Sequence, residues 1–291
     1  MNHPERVVGA FQQAVRRAML TRRVRAIASG KAGALTVDLG DVGLDPGAAF
    51  LEVTRSFQAG SPAMSRLVEA LRSSGTIDRL LDGLADDDGR RRQSCARLAG
   101  ALRLEAAVPW LGIQLQAAER PARRTAARAL GRIGGARSAE VLLAALRSRR
   151  LPWSRLIIEL SRAAPDLFIE SALRSQRNVA VRAQLAAAAG LRGRKSAIES
   201  LRHLAVEGTE RERATACRAL GLIGGPEAAP EFSSALSHRA WRVRWAAARA
   251  LGEIRDPSWL PELQETLYDP HPSIRYAAAR ALRLTRTGAA T

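Results

Sequence analysis

The sequence predicts an all-α fold, a right-handed α-solenoid of about seven stacked helical pairs, and three observations lead to it. One phrase occurs twice near the C-terminus, as VRWAAARALGEI in residues 243–254 and as IRYAAARALRL in residues 274–284. The two copies are 31 residues apart, measured between Arg244 and Arg275. Apolar residues within the phrase recur every three to four positions, as on one face of a helix. Such self-similarity is typical of stacked helical repeats rather than of one globular core.

Further copies of the phrase occur along the chain. In every copy, an Arg stands eight residues before the position of the Gly that ends the phrase. Two copies have Ala163 and Arg283 in the place of the Gly. We refer to the seven residues as the anchor arginines: Arg92, Arg123, Arg155, Arg182, Arg213, Arg244 and Arg275. Their successive spacings are 31, 32, 27, 31, 31 and 31 residues, so the copy at Arg155 is the irregular one.

Each repeated unit is predicted to contain two helices. Residues 243–254 form the first, and an Asp-Pro pair at 256–257 supplies an N-cap and a first-turn proline for a partner helix over about residues 259–268. In another copy, Ser196 with Glu199 is predicted to form a capping box.

The chain is predicted to divide into a basic amphipathic helix (1–28), a Gly-rich linker with a short helix (29–60) and the solenoid (61–291). Asp45-Pro46 should start the short helix, which we expect to end near Gln58. The basic helix has two interpretations: residues 5–28 contact an anionic membrane surface, or they pack on the first repeat. The second is favoured, because the apolar stripe is thin and has no Trp.

Positive charge dominates the composition, with a formal net charge of +18 and a pI near 11.5. Only Lys31 and Lys195 are lysines, so nearly all of this charge is Arg. A GC-rich genome would produce the same enrichment on solvated helix faces. The alternative is a surface that binds phosphate or anionic lipid.

Cysteine usage and hydropathy indicate the compartment. Cys95 and Cys217 lie four repeats apart, too far for a disulfide, and are typical of buried thiols in a reducing environment. No apolar run approaches the roughly 20 residues of a membrane-spanning helix. We therefore expect a cytoplasmic protein without a transmembrane segment, with peripheral membrane association as an alternative.

The phrases resemble the HEAT-like repeat first described in phycobilisome lyases, whose pattern is Val-Arg-x-x-Ala-Ala-x-Ala-Leu-Gly-x-Ile. Residues 239–256 match it closely and residues 122–135 and 211–226 match it well, within a resemblance that covers about residues 76–286. The resemblance implies an armadillo-like superhelix. It implies less about function, because scaffolds, chromophore lyases, a di-iron hydroxylase and DNA glycosylases share the repeat. The whole chain also resembles the soluble part of bacterial membrane-anchored HEAT-repeat proteins.

The anchor arginines are expected to be structural. The resemblance implies that each bonds an acidic residue in the preceding turn, in a ladder along the repeats. Acidic residues stand six positions before three of the anchors: Asp86, Glu207 and Asp269. The remaining four anchors should bond helix-end carbonyls or stay free for an anion.

A second column of arginines stands five residues after the anchors, about 140° around the helix from the buried stripe. These outer arginines are Arg97, Arg128, Arg218, Arg249 and Arg280. The resemblance implies that they line a concave face, with Trp245 and Tyr276 beside them. Arginines with aromatic residues can clamp an acidic protein segment, or bind phosphates and stack bases. We predict a scaffold for an acidic protein partner, with nucleic-acid binding as an alternative and a solvated face as a third interpretation.

No catalytic residue, metal site or cofactor is predicted, because no His, Cys or carboxylate cluster has ligand spacing. A glycosylase would need a carboxylate inside the groove, for which Glu159 is the single candidate in the inward columns. A lyase or chaperone-like role is a further alternative. The irregular copy carries Leu156, Ile157 and Ile158 after its anchor, where the copies at Arg244 and Arg275 have Ala at the last two positions, and this predicts an apolar notch for the partner.

Overall fold

The computed structural model describes residues 3–39, 45–58, 60–117, 119–148, 151–224 and 231–288, with side chains from residue 10 to residue 287 within these ranges. All regular secondary structure in these ranges is helical. The chain divides into two compact units, residues 1–152 and 153–291. In each unit, helices stack side by side in one row and are backed by helices of a second row. The prediction of an all-α solenoid is confirmed.

The helices of the N-terminal unit are α1 (His3–Ala28), α2 (Pro46–Thr54), α3 (Pro62–Ser73), α4 (Thr76–Gly83), α5 (Gly89–Leu102), α6 (Val108–Gln114), α7 (Arg120–Ile133) and α8 (Gly135–Ser148). One row is made of α2, α5 and α7 and is backed by α6 and α8, while α1 packs on α2 and α3. Helix α2 therefore belongs to the stacked row, although the sequence assigned it to the linker segment.

The helices of the C-terminal unit are α9 (Trp153–Ala163), α10 (Asp166–Ser175), α11 (Val179–Leu191), α12 (Ile198–Glu207), α13 (Glu210–Ile223), α14 (Phe232–Leu236), α15 (Trp241–Ile254), α16 (Leu260–Thr266) and α17 (Pro272–Gly288). One row is made of α9, α11, α13, α15 and α17, each packed on the next. A second row contains α10, α12 and α14, and α16 packs on α17.

Close packing within the rows depends on the Gly that ends four of the repeated phrases. A methyl group built on Gly221 would lie 2.6 Å from the Cα atom of Ala250 on the next helix, well inside the usual carbon–carbon contact of about 3.5–4.0 Å. The same approach occurs between Gly100 and Ala129, between Gly190 and Ala219, and between Gly252 and Ala281. The small residues of the phrase therefore serve the stacking of one repeat on the next.

The predicted boundary after the phrase at 243–254 is confirmed. Helix α15 ends at Ile254, and Arg255 adopts a left-handed conformation with φ of 59°. The side chain of Asp256 accepts a hydrogen bond from the backbone nitrogen of Ser258 at 2.9 Å. This cap starts a short 3-10 helix, Pro257–Trp259, that leads into α16.

The predicted capping box at Ser196 and Glu199 is wrong. Residues 195–197 form a 3-10 helix, so Ser196 lies inside that turn and Ala197 becomes the N-cap of α12 without a side-chain bond. A capping box is present instead at the start of α13, between Thr209 and Glu212.

The segment between α1 and α2 buries alternate apolar side chains. Leu35, Val37 and Leu39 are buried at alternate positions, while the residues between them are exposed. Residues 40–44 and 59 of the predicted linker lie outside the described residues. Helix α2 starts at Pro46, as predicted, but ends at Thr54, because the backbone nitrogen of Phe57 turns back to the Thr54 carbonyl at 3.0 Å.

A search of the helices in the described ranges finds none that is both long and apolar enough to cross a membrane.

Candidate functional site

Five of the anchor arginines bond the backbone of the turn that precedes their own helix. Arg123 donates to the carbonyl of Ala117 at 2.7 Å, and Arg213 donates to that of Gly208 at 2.7 Å. Arg92, Arg244 and Arg275 each donate to carbonyls five and six residues earlier. These bonds tie the start of the helix to its turn, which accounts for Arg at this position of the phrase.

The acidic partners differ from those predicted. Asp86 accepts from Arg92 through its backbone carbonyl, whereas its carboxylate pairs with Arg91 at 2.8 Å. The carboxylate of Asp269 does not bond Arg275, which donates instead to the backbone carbonyls of Asp269 and Pro270. The Asp269 carboxylate instead accepts bidentate hydrogen bonds of 2.6 and 3.1 Å from Arg244 of the preceding repeat. The carboxylate of a ladder contact therefore comes from the next repeat along the chain.

Arg182 makes a similar contact with Glu212, one repeat further on. The Glu212 side chain is fully buried and also accepts from the backbone nitrogen and hydroxyl of Thr209, at 2.9 and 2.7 Å. Burial alone would raise the pKa of Glu212, but the bonds from Arg182 and Thr209 outweigh it and hold that pKa below its ordinary value. Arg155, in the irregular copy, has a buried Nε without a hydrogen-bond partner in the described residues.

The outer arginines have different surroundings in the two units. In the N-terminal unit, Arg97 Nε lies 2.8 Å from a carboxylate oxygen of Asp45, and Arg128 is exposed. In the C-terminal unit, Arg280 lies 3.4 Å from Glu253. The two other members of the column, Arg218 and Arg249, lie in or beside a groove, and neither has a carboxylate within ion-pair distance in the described residues.

This groove, which we call the Arg-Trp groove, crosses α11, α13, α15 and α17 and has a volume of about 770 Å³. Small residues form part of its lining, including Ala187, Ala214 and Ala246. Its larger lining residues are Glu210, Arg211, Arg218, Trp241, Arg242 and Trp245. The groove thus combines a narrow apolar surface with three guanidinium groups and two indole rings.

Positive charge is concentrated at the groove. Burial, together with the charges of Arg249 and Arg211, lowers the pKa of Arg218 from its ordinary value. Its hydrogen bond within the described residues goes to the Thr215 hydroxyl at 3.2 Å, which brings no negative charge. Glu210 reaches only Arg242, at 4.0 Å and with both side chains exposed, so this pair neutralises little.

The indole rings of Trp241 and Trp245 are in contact with guanidinium or imidazole groups. The guanidinium carbon of Arg249 lies 5.0 Å from the ring centroid of Trp245, and that of Arg242 lies 4.7 Å from the ring of Trp241. His271 stacks on Trp241, with centroids 4.2 Å apart and planes at 8°. The distances fit cation–π contacts and aromatic stacking.

Sequence reasoning did not select Arg211, Arg242 or Trp241 as partner-binding residues, although a signal for the two arginines was present. Both stand two residues before an anchor, and positions seven residues apart on a helix differ by only about 20° in direction. The position two before the anchor therefore shares a face with the outer arginines. Trp153 holds the same position in the irregular copy, and the guanidinium carbon of Arg211 lies 4.8 Å from its ring.

Other predicted residues lie elsewhere. Tyr276 is 73% exposed and does not line the Arg-Trp groove. The buried carboxylate of Glu159 pairs with Arg162 at 3.2 Å and does not line the groove either. Ile157 is buried and Ile158 is 44% exposed, so the predicted apolar notch remains a prediction. No group of three His, Cys, Asp or Glu side chains that could hold a metal ion occurs among the described residues.

Comparison with protein families finds that a model for HEAT repeats matches residues 77–160, 167–238 and 229–290, more than half of the chain. Comparison with curated protein sequences gives no significant match.

Several solved structures are similar. Human deoxyhypusine hydroxylase in complex with glycerol is 20% identical, over 93% of this chain and 98% of that one, with a TM-score of 0.38. An engineered protein is 19% identical, over 83% of this chain and 78% of that one, with a TM-score of 0.37. The karyopherin Kap121p bound to the SUMO protease Ulp1p is 14% identical, with a TM-score of 0.42. That match covers 82% of this chain and 32% of the karyopherin chain.

Proposed function

The chain belongs to the HEAT-repeat family, and on that premise we propose that it is a non-catalytic scaffold or adaptor that binds an acidic segment of a protein partner. The binding surface is the Arg-Trp groove of the C-terminal unit. One observation carries the proposal: Arg211, Arg218 and Arg249 gather at this groove, and none has a carboxylate partner within the described residues. We propose as well that the repeats are of the phycobilisome-lyase HEAT-like type, because residues 239–256 closely match the pattern of that repeat.

Uncompensated charge supports ligand binding rather than a structural role. An arginine that stabilises a fold usually meets a carboxylate or a carbonyl, as Arg123, Arg182 and Arg244 do. Arg218 instead lies among like charges, which is unfavourable in the free protein. An incoming carboxylate would relieve this repulsion and accept charge-assisted hydrogen bonds from the guanidinium groups.

The groove also suits a segment of polypeptide. Ala187, Ala214 and Ala246 leave room for a chain to lie across the row of helices. Trp241 and Trp245 offer large apolar surfaces, and such residues commonly carry much of the binding energy at protein interfaces. The partner is therefore expected to combine acidic residues with a few apolar side chains.

Nucleic-acid binding, the alternative, is less well supported by the aromatic contacts. Base stacking needs exposed ring faces. His271 and Arg242 already lie against Trp241, and Arg249 lies against Trp245. Each of these contacts occupies a ring face on which a base could otherwise stack, whereas a carboxylate can bind the guanidinium groups without using a ring face.

The experiment is fluorescence anisotropy with the full chain and a labelled peptide of alternating Glu and Leu. Labelled duplex DNA and single-stranded RNA are titrated in parallel. We expect the peptide to bind and Arg218→Gln and Trp245→Ala to weaken that binding at least tenfold, as interface hot spots do. Arg177→Gln is the matched control, because Arg177 is exposed and does not line the groove. Circular dichroism verifies that each variant is folded.

Two results would overturn the proposal. One is absence of peptide binding at micromolar protein in low salt. The other is tighter binding of DNA or RNA, with affinity falling about 10³-fold or more between about 50 and 200 mM salt, because that dependence indicates many phosphate contacts. The second result would establish the nucleic-acid alternative.

A further inference from the structure

Helix α1 is held to the N-terminal unit by its C-terminal half. Thr21, Val24, Ile27 and Ala28 are buried, and they lie on one face of the helix. Residues 10–19, in contrast, are all exposed. The sequence-based expectation that α1 packs on the first repeats therefore describes only its second half.

The exposed half carries an apolar stripe of its own. Phe11, Val15 and Met19 follow one another at intervals of four residues and are 69%, 41% and 68% exposed. Val15 and Val24 are nine residues apart, which places them on opposite sides of a helix. The stripe consequently takes no part in holding α1 to the unit, and it leaves large apolar side chains in water.

Arginines surround this stripe unevenly. Arg22 falls within about 20° of the direction of Phe11, and Arg23 lies on one flank of the stripe. Both are exposed, and neither has a carboxylate within ion-pair distance in the described residues. Arg25, on the other flank, and Arg17, on the side of the buried face, each lie 3.5 Å from Glu52. Glu52 therefore compensates Arg17 and Arg25, but not Arg22 or Arg23.

We propose that α1 binds peripherally to an anionic membrane surface, with Phe11, Val15 and Met19 inserted among the lipids and Arg22 and Arg23 at the phosphates. Such a surface suits both the apolar stripe and the two arginines, because interfacial helices combine inserted apolar residues with cations at the headgroup level. Pairing with a second copy of α1 would bury the apolar residues but bring the two sets of arginines together. This binding uses none of the residues of the Arg-Trp groove and stands independently of the function proposed there.

The test is co-sedimentation of the full chain with phosphatidylcholine vesicles and with vesicles of phosphatidylcholine and phosphatidylglycerol. We expect binding to the mixed vesicles and little to the neutral ones. Arg22→Gln/Arg23→Gln should reduce partitioning by about 30-fold, because each basic residue near an anionic surface contributes about fivefold. Phe11→Ala/Met19→Ala should reduce it at least tenfold through lost apolar insertion.

The control for charge is Arg177→Gln/Arg192→Gln, which removes two exposed arginines of the C-terminal unit. The control for exposed apolar surface is Leu167→Ala/Tyr268→Ala, whose residues are 73% and 88% exposed. Both should bind vesicles as the unchanged chain does. A second measurement is the fluorescence of Phe11→Trp compared with the unchanged chain, which should shift to shorter wavelength on mixed vesicles as the new indole leaves water.

The proposal is overturned if the chain does not bind mixed vesicles, or if the control pairs lose as much binding as the α1 pairs. The latter result would show that net charge alone attracts the protein. It is also overturned if the chain is dimeric without lipid and Phe11→Ala/Met19→Ala makes it monomeric, because the stripe would then be an interface between two copies.

Discussion

Replacing Gly221 by Ala tests whether the contact between α13 and α15 determines the stability of the C-terminal row. The added methyl carbon would lie 2.6 Å from both Cα and Cβ of Ala250 and 3.2 Å from its carbonyl oxygen. A separation of the helices by about 1 Å is needed to restore ordinary contact. Because two of these atoms belong to the backbone, no rotamer change relieves the overlap.

The expected magnitude follows from two opposing effects. Overpacking of this kind costs up to about 3 kcal/mol, and the better helix propensity of Ala offsets about 1 kcal/mol. We therefore expect Gly221→Ala to lower the free energy of unfolding by about 2 kcal/mol. The assay is urea-induced unfolding followed by circular dichroism, together with amide hydrogen exchange, which should increase first in α13 and α15.

Gly112→Ala is the matched control. Gly112 also lies within a helix, but its added methyl carbon would meet Val141 at 3.4 Å, an ordinary contact. Only the gain in helix propensity remains, so this variant should be more stable by about 0.5–1 kcal/mol. If Gly221→Ala is as stable as the unchanged chain, the close approach of the two helices does not limit stability, and the reasoning about the phrase-ending Gly is refuted.

Further predictions concern buried and clustered ionisable groups. Because the folded pKa of Glu212 is depressed, its stabilising contribution is present above its ordinary value of 4.5 and lost as the pH falls through the lower folded pKa. Glu212→Gln should therefore flatten the acid limb of the stability–pH curve, measured by thermal unfolding. Burial raises the pKa of Cys95 to about 11 and that of Cys217 to about 12, so both thiols should resist iodoacetamide at neutral pH until urea unfolds the chain. Arg218→Gln should leave the urea midpoint unchanged or raise it, because it removes a charge that like charges oppose; a lower midpoint would indicate a structural role.

The structure divides the arginines into those that stabilise the fold and those whose charge has no carboxylate partner in the described residues. Arg123 and Arg213 bond backbone carbonyls, and Arg182 and Arg244 link neighbouring repeats through carboxylates. These residues hold the fold. The groups without carboxylate partners, at the Arg-Trp groove and on α1, support the two binding proposals. A net charge alone could not distinguish such classes.

The fold class followed from the sequence because its cause is local. A phrase that repeats about every 31 residues and places Ala and Gly on one helix face can bury that face only against another copy of itself. The predicted helix boundary at Asp256 and Pro257 was correct for a similar reason, since a cap and its proline act within one turn. The capping box predicted at Ser196 was wrong because residues 195–197 form a 3-10 turn. The choice between a 3-10 turn and an α-helical turn depends on the surrounding packing.

Features that depend on the relation between repeats required the tertiary structure. Helical periodicity gave the direction of each arginine column, but not that the Asp269 carboxylate binds Arg244 rather than Arg275, or that the Asp45 carboxylate reaches Arg97. Pairing of this kind is decided by which residue the stacking of helices brings within about 4 Å, and sequence spacing does not encode that distance. The periodicity of α1 likewise could not show that Phe11 stays in water while Val24 is buried, because burial depends on what packs against each face.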